Sequence, residues 1–513
     1  MNSSQLQQQE MLALVILLLL AVHIAEARNA VLHLKHGFAH LEGSSVKQGG
    51  RGMSREHFQR LIDHDRARMQ RRLAVVDFPL SGNDDPLVTG LYYTQVGLGT
   101  PMQSFYLQVD TGSDLLWVNC APCNNCPSSS GLNIPLSIYN PTGSSSSEIL
   151  QCSNSLCLEA LQKLDCDSMN RCSYQSVYGD GSATSGYLVS DAITYNQLDG
   201  SSDSATISSA NIVFGCGYNQ TGDLLQPTRA VDGLMGFGQD AISVPSQLAA
   251  QGLTPNVFAH CLEGENKGSG ILVIGEVMEP DVLYTPIVPG QQHYNVELQN
   301  IAVNNINVSQ PSVFAIPNYG GGGVIFDCGT TLAYIVQPAY GDFVDAVVRN
   351  ALVEANTLQG QTCFSYSGSL DGVFPGVTLY FTGGAMELSP DQYMIQQEVG
   401  FYCIGWFEST TSPGYPAYSI LGDIVLKDKL VVYDNERGQI GWKSYDCTQG
   451  ISVSSEGEGN SSLLTVNPYQ TSAPGVHSAS SRPLSISLFL SILACAFSNM
   501  LHFIVCRLDY PPY

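Results

Sequence analysis

One short motif occurs twice in this 513-residue chain, and it restricts the fold more than any other feature. The stretch Phe105-Tyr-Leu-Gln-Val-Asp110-Thr-Gly-Ser-Asp-Leu-Leu-Trp117-Val118 reads like Val324-Ile-Phe-Asp327-Cys-Gly-Thr-Thr-Leu-Ala-Tyr334-Ile335. In both, apolar strand-forming residues lead into Asp-x-Gly-Ser/Thr, and an aromatic side chain stands seven positions after the aspartate. Each copy is followed by an apolar-apolar-Gly element, Leu234-Met235-Gly236 after the first and Ile420-Leu421-Gly422 after the second. A duplicated pattern of this kind predicts two related lobes, each supplying one aspartate.

Between the two copies and around them, residues 91–447 alternate short apolar runs, rich in β-branched and aromatic residues, with Gly, Pro, Asn and Ser. Strands are expected at 91–96, 212–215, 271–275, 324–326, 377–381 and 430–433, and helices only at 339–355 and 155–164. The fold class is therefore all-β and bilobal, with a cleft between the lobes.

A single Asp-x-Gly is ordinary turn chemistry, because Asp bonds its own backbone in turns. Two copies on two strand exits point further. Gly112 and Gly329 let the chain turn sharply, and the hydroxyls of Ser113 and Thr330 can orient the neighbouring carboxylate. If the lobes face each other, Asp110 and Asp327 meet, and two like charges in contact cannot both ionise cheaply, so the pair holds one proton as a unit. Such a pair can draw a proton from water while polarising a peptide carbonyl. Tyr178-Gly179-Asp180-Gly181-Ser182 carries an Asp-Gly hairpin signal and predicts a hairpin tip over the pair, with Tyr178 within reach of Trp117. Asp114 and Asp180 are expected at the rim. A cysteine nucleophile at Cys328 served by His293 or His260 has no support, since no spacing brings a histidine near it.

The ends of the chain set the compartment. Residues 11–22 are almost wholly apolar and precede Ala25-Glu26-Ala27, which predicts a signal peptide over 1–27. Residues 484–506 form a second apolar run behind a Ser/Thr-rich stretch, so a stalk is expected at 448–482 and a C-terminal membrane anchor or lipid-attachment signal at 483–513. In an oxidising lumen the spacing Cys120-x2-Cys123-x2-Cys126 reads as part of a disulfide framework, with no metal. Of 15 cysteines, Cys495 and Cys506 lie in the apolar tail; the remaining 13 leave one unpaired. Sequons at Asn219, Asn307 and Asn460 imply glycosylation on exposed loops.

Charge divides along the chain. The net charge is -24, yet residues 28–72 hold ten Lys+Arg against four Asp+Glu, and everything after Arg72 carries -28. Nucleic acid is an unsuitable partner for such an acidic body. A basic segment that neutralises an acidic cleft until carboxylates protonate is expected over 28–85, ahead of an N-terminal lobe at 86–285 and a C-terminal lobe at 286–447.

Together, Asp110-Thr111-Gly112-Ser113, Tyr178-Gly-Asp-Gly-Ser182, Asp232-Gly-Leu-Met-Gly236, Asp327-Cys328-Gly329-Thr330 and Ile420-Leu-Gly-Asp423 resemble the pepsin-like aspartic proteases, over residues 91–447. Asp110-Thr-Gly-Ser-Asp-Leu-Leu-Trp-Val-Asn-Cys120 and the cysteine-rich stretch through Cys172 resemble the atypical plant, nucellin-like branch, whose anchored members share a Ser-rich stalk and apolar tail. The resemblance implies an acid-active, monomeric endopeptidase without cofactor, acting on proteins or peptides, its C-terminus tethered at the outer face of the cell. It also implies a disulfide between Cys363 and Cys403. Scaffolds of this kind that act as inhibitors or lectin-like binders are the alternative. Cys328 departs from the pattern, since Ser or Thr usually stands there and its hydroxyl links to the opposite loop; Thr111 can still do so from its own side. Cys328, in the cleft floor, is the candidate for the unpaired thiol.

Overall fold

The computed structural model describes residues 74–468 apart from 84–89, 160–163, 199–204, 265–268, 317–321, 410–417 and 458–459. The segments expected as signal peptide and apolar anchor lie outside the described residues, as does the basic run 28–72. Among the described residues no helix is long and apolar enough to cross a membrane.

The body is built on a 15-stranded sheet to which the second half of the chain adds three strands at one end. Strands Leu283–Pro286, Gln439–Ser444 and Lys429–Asp434 come from the second half. They join strands Val257–Leu262, Gly270–Ile274 and Val75–Asn83 into one antiparallel platform. Every residue of Val257–Leu262, Gly270–Ile274 and Lys429–Asp434 is buried, because the platform is covered on both faces.

The twofold motif becomes a twofold structure. In the first lobe, strand Gln103–Asp110 runs parallel to Gly233–Gly236, with Gly236 opposite Asp110, and Trp117–Asn119 pairs with the other side of Gly233–Gly236. In the second, Val324–Phe326 runs parallel to Ser419–Leu421, with Phe326 opposite Leu421, and Ala333–Ile335 pairs with its other side through Tyr334 and Ile420. The apolar-apolar-Gly elements are thus the strands that lie against each aspartate loop. Their glycines are sterically required: a Cβ on Gly236 would stand 2.3 Å from the Asp114 carbonyl carbon, and one on Gly422 would stand 2.2 Å from the Leu332 carbonyl oxygen.

The strands expected at 324–326 and 377–381 have those bounds, those expected at 91–96, 212–215 and 430–433 are longer, and the one expected at 271–275 is shifted to Gly270–Ile274. The helix expected over 339–355 is Ala339–Asn350, with Phe343, Ala346 and Val347 buried. It stops early because the apolar stripe runs out: Leu352 is 76% exposed, and Ala355–Leu358 is a strand paired with Gln361–Ser365. The one expected over 155–164 is Ser155–Glu159, with strand Leu164–Cys166 beyond it.

Two expected boundaries are corrected. Residues 75–83, placed with the basic segment, form a platform strand between Gly270–Ile274 and Leu91–Leu98. Val75, Val76, Phe78 and Leu80 are buried there, so the basic character ends at Arg72 and core-forming sequence takes over two residues later. The stalk expected at 448–482 includes a hairpin, Ile451–Gly457 with Asn460–Val466, that pairs with Glu276–Val277. Ile451, Val453 and Val466 are fully buried beside Val257, Ile271, Leu430 and Val432. The Ser content concealed a period-2 alternation in Ile451-Ser-Val453-Ser.

Among the described residues six disulfides join Cys120–Cys216, Cys123–Cys126, Cys152–Cys166, Cys157–Cys172, Cys261–Cys447 and Cys363–Cys403. Cys328 is free and buried. Of the sequon residues, Asn307 is exposed on strand Ile306–Asn307. Asn219 is half-buried within strand Thr206–Thr221, opposite Ser185, not on a loop. Asn460 begins a strand of the C-terminal hairpin.

Candidate active site

Asp110 ends its strand and Asp327 directly follows Val324–Phe326, so each carboxyl group enters the cleft from a strand exit. The two loops mirror each other in hydrogen bonding. Gly112 N–H donates to Asp110 Oδ1 at 2.8 Å and Ser113 Oγ donates to Asp110 Oδ2 at 2.5 Å. Gly329 N–H donates to Asp327 Oδ1 at 2.8 Å and Thr330 Oγ1 donates to Asp327 Oδ2 at 2.7 Å. Each carboxyl group also packs on the glycine of the opposite loop. A Cβ on Gly112 would stand 2.6 Å from Asp327 Oδ1, and one on Gly329 would stand 2.1 Å from Asp110 Oδ1. Any side chain there would push the carboxyl groups apart.

Both aspartates are buried, at 5% and 7% exposure, which sets their electrostatics. Burial raises the Asp110 pKa well above the carboxylate range, and the neighbouring Asp327 charge raises it further. Ser113 and Gly112 act against this by bonding the ionised form. The result is a carboxyl pair that favours sharing one proton.

The floor below the pair is held mainly from one side. Thr111 Oγ1 donates to the Phe326 carbonyl at 3.2 Å and accepts from the Cys328 N–H at 3.0 Å, linking the first loop to the second. In return Cys328 offers only its thiol, 3.7 Å from the Val109 carbonyl. A sulfur donor at that distance is a weak substitute for a hydroxyl. A further link between the lobes runs from Gln108 Nε2 to the Gly329 carbonyl at 3.3 Å.

The hairpin over this floor has the expected bounds. Strands Cys172–Val177 and Ala183–Leu198 pair up to Val177 opposite Ala183, and the tip closes through Tyr178 N–H to Ser182 O at 2.9 Å. Gly181 turns the chain at φ +83, and Asp180 Oδ1 accepts from Ser182 N–H at 2.9 Å and from Ser182 Oγ at 2.7 Å. Gly179 has open space around its Cα. Trp117 Nε1–H donates to Tyr178 Oη at 2.7 Å, which leaves the phenol proton free to face the cleft. Burial raises the Tyr178 pKa well above its usual value, and the Asp110 charge adds to it, which places the phenol close to the pair. From the opposite wall, Tyr334 is near enough to Asp180 to feel its charge. Asp114 lies beside the pair's loop, where its Oδ1 accepts from Asp240 N–H at 3.0 Å.

Comparison with known proteins gives this geometry its context. Residues 92–276 and 293–444 match the families described as Xylanase inhibitor N-terminal and Xylanase inhibitor C-terminal. Over 477 residues the chain is 40% identical to Aspartic proteinase 36 of Arabidopsis thaliana, covering 92% of this chain and 94% of that one. The chain belongs to the pepsin-like plant aspartic proteinases. Aspartic proteinase 39 of the same plant is 36% identical over 95% of this chain and 97% of its own length. Soybean basic 7S globulin shares the fold, with a TM-score of 0.57 at 22% identity over 73% of this chain and 97% of its own.

Three groups around the pair of this family member escaped the sequence. Asp423 is buried with neither carboxyl oxygen hydrogen-bonded, and its pKa is raised by burial and by the charges of Asp327 and Asp110. It was visible only as the last residue of Ile420-Leu-Gly-Asp423. His260 and Tyr433 lie beneath Thr111, which corrects the expectation that no histidine approaches this region. His260 still does not serve Cys328, because its Nε2 is engaged with Tyr433 Oη at 3.2 Å and burial lowers its pKa to about 3. Their place depends on platform strands 173 residues apart, which no local pattern announces.

Proposed function

We propose that this protein is an aspartic endopeptidase. The observation that carries the reading is the facing carboxyl pair, with four matched donors and a glycine under each carboxyl group. In this reading Asp110 and Asp327 are catalytic, and the shared proton defines the cycle. The ionised carboxylate removes a proton from a bound water as the water attacks the peptide carbonyl, and the protonated carboxyl group donates to the carbonyl oxygen. The pair then returns a proton to the leaving nitrogen, so the C–N bond breaks without a covalent enzyme intermediate. Thr111, Gly112, Ser113, Cys328, Gly329 and Thr330 hold the pair, and Tyr178, Gly179, Asp180 and Trp117 cover it and limit water.

The reaction needs one proton on the pair, which the burial of Asp110 favours, and activity in acid is proposed from the family resemblance. Protein or peptide substrates are the class that the aspartic proteinase relatives suggest. The nucellin-like branch, secretion under a signal peptide, restraint by the basic run 28–72, glycosylation and a C-terminal tether facing outward extend the reading; they rest on sequence patterns. Release from membranes by a phosphatidylinositol-specific phospholipase would separate a lipid anchor from a helix.

A second reading, a binding or inhibitory protein on the same scaffold, is favoured by one observation, the thiol at Cys328. One assay separates the two. Acid cleavage of a denatured protein, blocked by pepstatin and reduced at least about 1000-fold by Asp110→Asn, supports the endopeptidase; no cleavage anywhere in the acidic range supports the binder.

A further inference from the structure

A column of buried polar groups stands under Thr111 without touching the carboxyl pair. Tyr433 comes from platform strand Lys429–Asp434 and His260 from its neighbour Val257–Leu262, and both are fully buried. His260 Nε2 lies 3.2 Å from Tyr433 Oη, which lies 3.4 Å from Thr111 Oγ1. The Tyr433 ring is fixed by stacking on Phe258 at 4.5 Å and by the edge of Tyr294 at 4.8 Å.

Counting protons gives the column a direction. A threonine hydroxyl has one proton and two lone pairs. The proton of Thr111 goes to the Phe326 carbonyl, and one lone pair takes the Cys328 N–H. The remaining lone pair faces Tyr433, so Tyr433 donates. Its oxygen then accepts from His260, which requires the Nε2–H tautomer and leaves Nδ1 a bare acceptor. Nδ1 has no hydrogen-bond partner, so no acceptor stands where an Nδ1–H would need one. The opposite direction would bury an unpaired N–H donor, the rarer and costlier defect. Burial lowers the ring's pKa to about 3 and so keeps it neutral, in this tautomer, above that pH.

We propose that His260 and Tyr433 are positioning residues for the aspartate pair: they set the direction of the Thr111 hydroxyl and supply, from the platform, the grip that Cys328 does not supply from its loop. The inference rests on the endopeptidase reading. Its test is a cycle in the full-length protein. Tyr433→Phe removes only the hydroxyl and keeps the stacked ring; it is made alone and in the Cys328→Ser background.

With Cys328 present, kcat is expected to fall about tenfold with KM within about twofold, the pattern of a group that acts on the reacting centre and not on substrate binding. In the Cys328→Ser background the loss should shrink to about twofold, because the second loop then has a hydroxyl of its own. His260→Phe takes away the donor to Tyr433 and predicts the same pattern should Tyr433→Phe not fold; His260→Gln, which can still donate, should recover part of kcat. An equal kcat loss in both backgrounds, or a lowered melting temperature with kcat unchanged, would overturn the positioning role alone. Wild-type protein that cleaves nothing in acid would remove the endopeptidase reading and the positioning role with it.

Discussion

At the scale of single residues, the two aspartate loops differ in one group that matters. Cys328→Ser replaces a thiol 3.7 Å from the Val109 carbonyl with a hydroxyl able to bond it, and should raise stability by about 0.5–1.5 kcal/mol. Calorimetry of the two proteins at one acidic pH checks this, and an unchanged melting temperature would show that the thiol grips as well as a hydroxyl. Tyr178→Phe leaves the Trp117 N–H without its 2.7 Å acceptor and should lower kcat/KM by roughly 5- to 150-fold, from the about 1–3 kcal/mol left unpaired. Steady-state kinetics at the optimum is the measurement, and an unaltered kcat/KM would deny the phenol a part in the cycle. Asp110, Asp327 and Tyr178 were legible in sequence because each sits in a local motif whose chemistry repeats or turns. The odd cysteine count called for one unpaired thiol, and the place of Cys328 in the second aspartate loop pointed to which one it is. His260 and Tyr433 were not legible, since Thr111 and Tyr433 are 322 residues apart and meet only when the platform forms.

Among the elements, strands were readable from alternation and turn residues, and both parallel pairs beside the aspartate loops follow from the duplicated motif. Composition misled at the edges. A Ser-rich stretch was expected to stay outside the core, yet Ile451–Gly457 with Asn460–Val466 closes one side of the platform. A chain ending after residue 450 should therefore lose several kcal/mol of stability, because Ile451, Val453 and Val466 are removed from buried sites and Val257 and Leu430 are uncovered. Thermal unfolding of the shortened chain checks this; a stalk would be dispensable and its loss silent.

For the whole molecule, buried carboxyl groups set the response to pH. Burial raises Asp77 to about 7 and Asp232 to about 6, and raises Asp110 and Asp423 as well. The folded protein keeps these protons where the unfolded chain, whose aspartates titrate near the ordinary value of 3.8, has released them. Stability from each is full below that value and declines as pH rises toward the folded pKa, by about 1.4 kcal/mol per proton per pH unit. His260, lowered from 6.5 to about 3, acts in the opposite sense below 6.5, but it is one group against four. The melting temperature should fall between about pH 4 and pH 7, and Asp77→Asn should raise it at the upper end while leaving it little changed at the lower. A melting temperature that climbs over that interval would contradict the assignment. This acid preference suits the net charge of -24, an overall trait that the sequence already displayed, although the particular buried groups could not be told from surface ones.

The cross-links also determine what happens when the backbone is cut. Cys120–Cys216 spans 96 residues and Cys261–Cys447 spans 186, and the second loop contains Asp327 and most of the second lobe. A single nick inside either loop leaves both fragments on one covalent object, so the two aspartates travel together on a gel until reductant is added. Between the two aspartates, a cut at 111–119 frees the Asp110 strand and a cut at 217–260 parts the lobes, because neither stretch lies inside a disulfide loop. The second stretch holds the strand against the Asp110 loop and the platform strand with His260, both buried, but residues 221–223 and 226–229 ahead of them are exposed, so a cut that parts the lobes has an accessible place to fall.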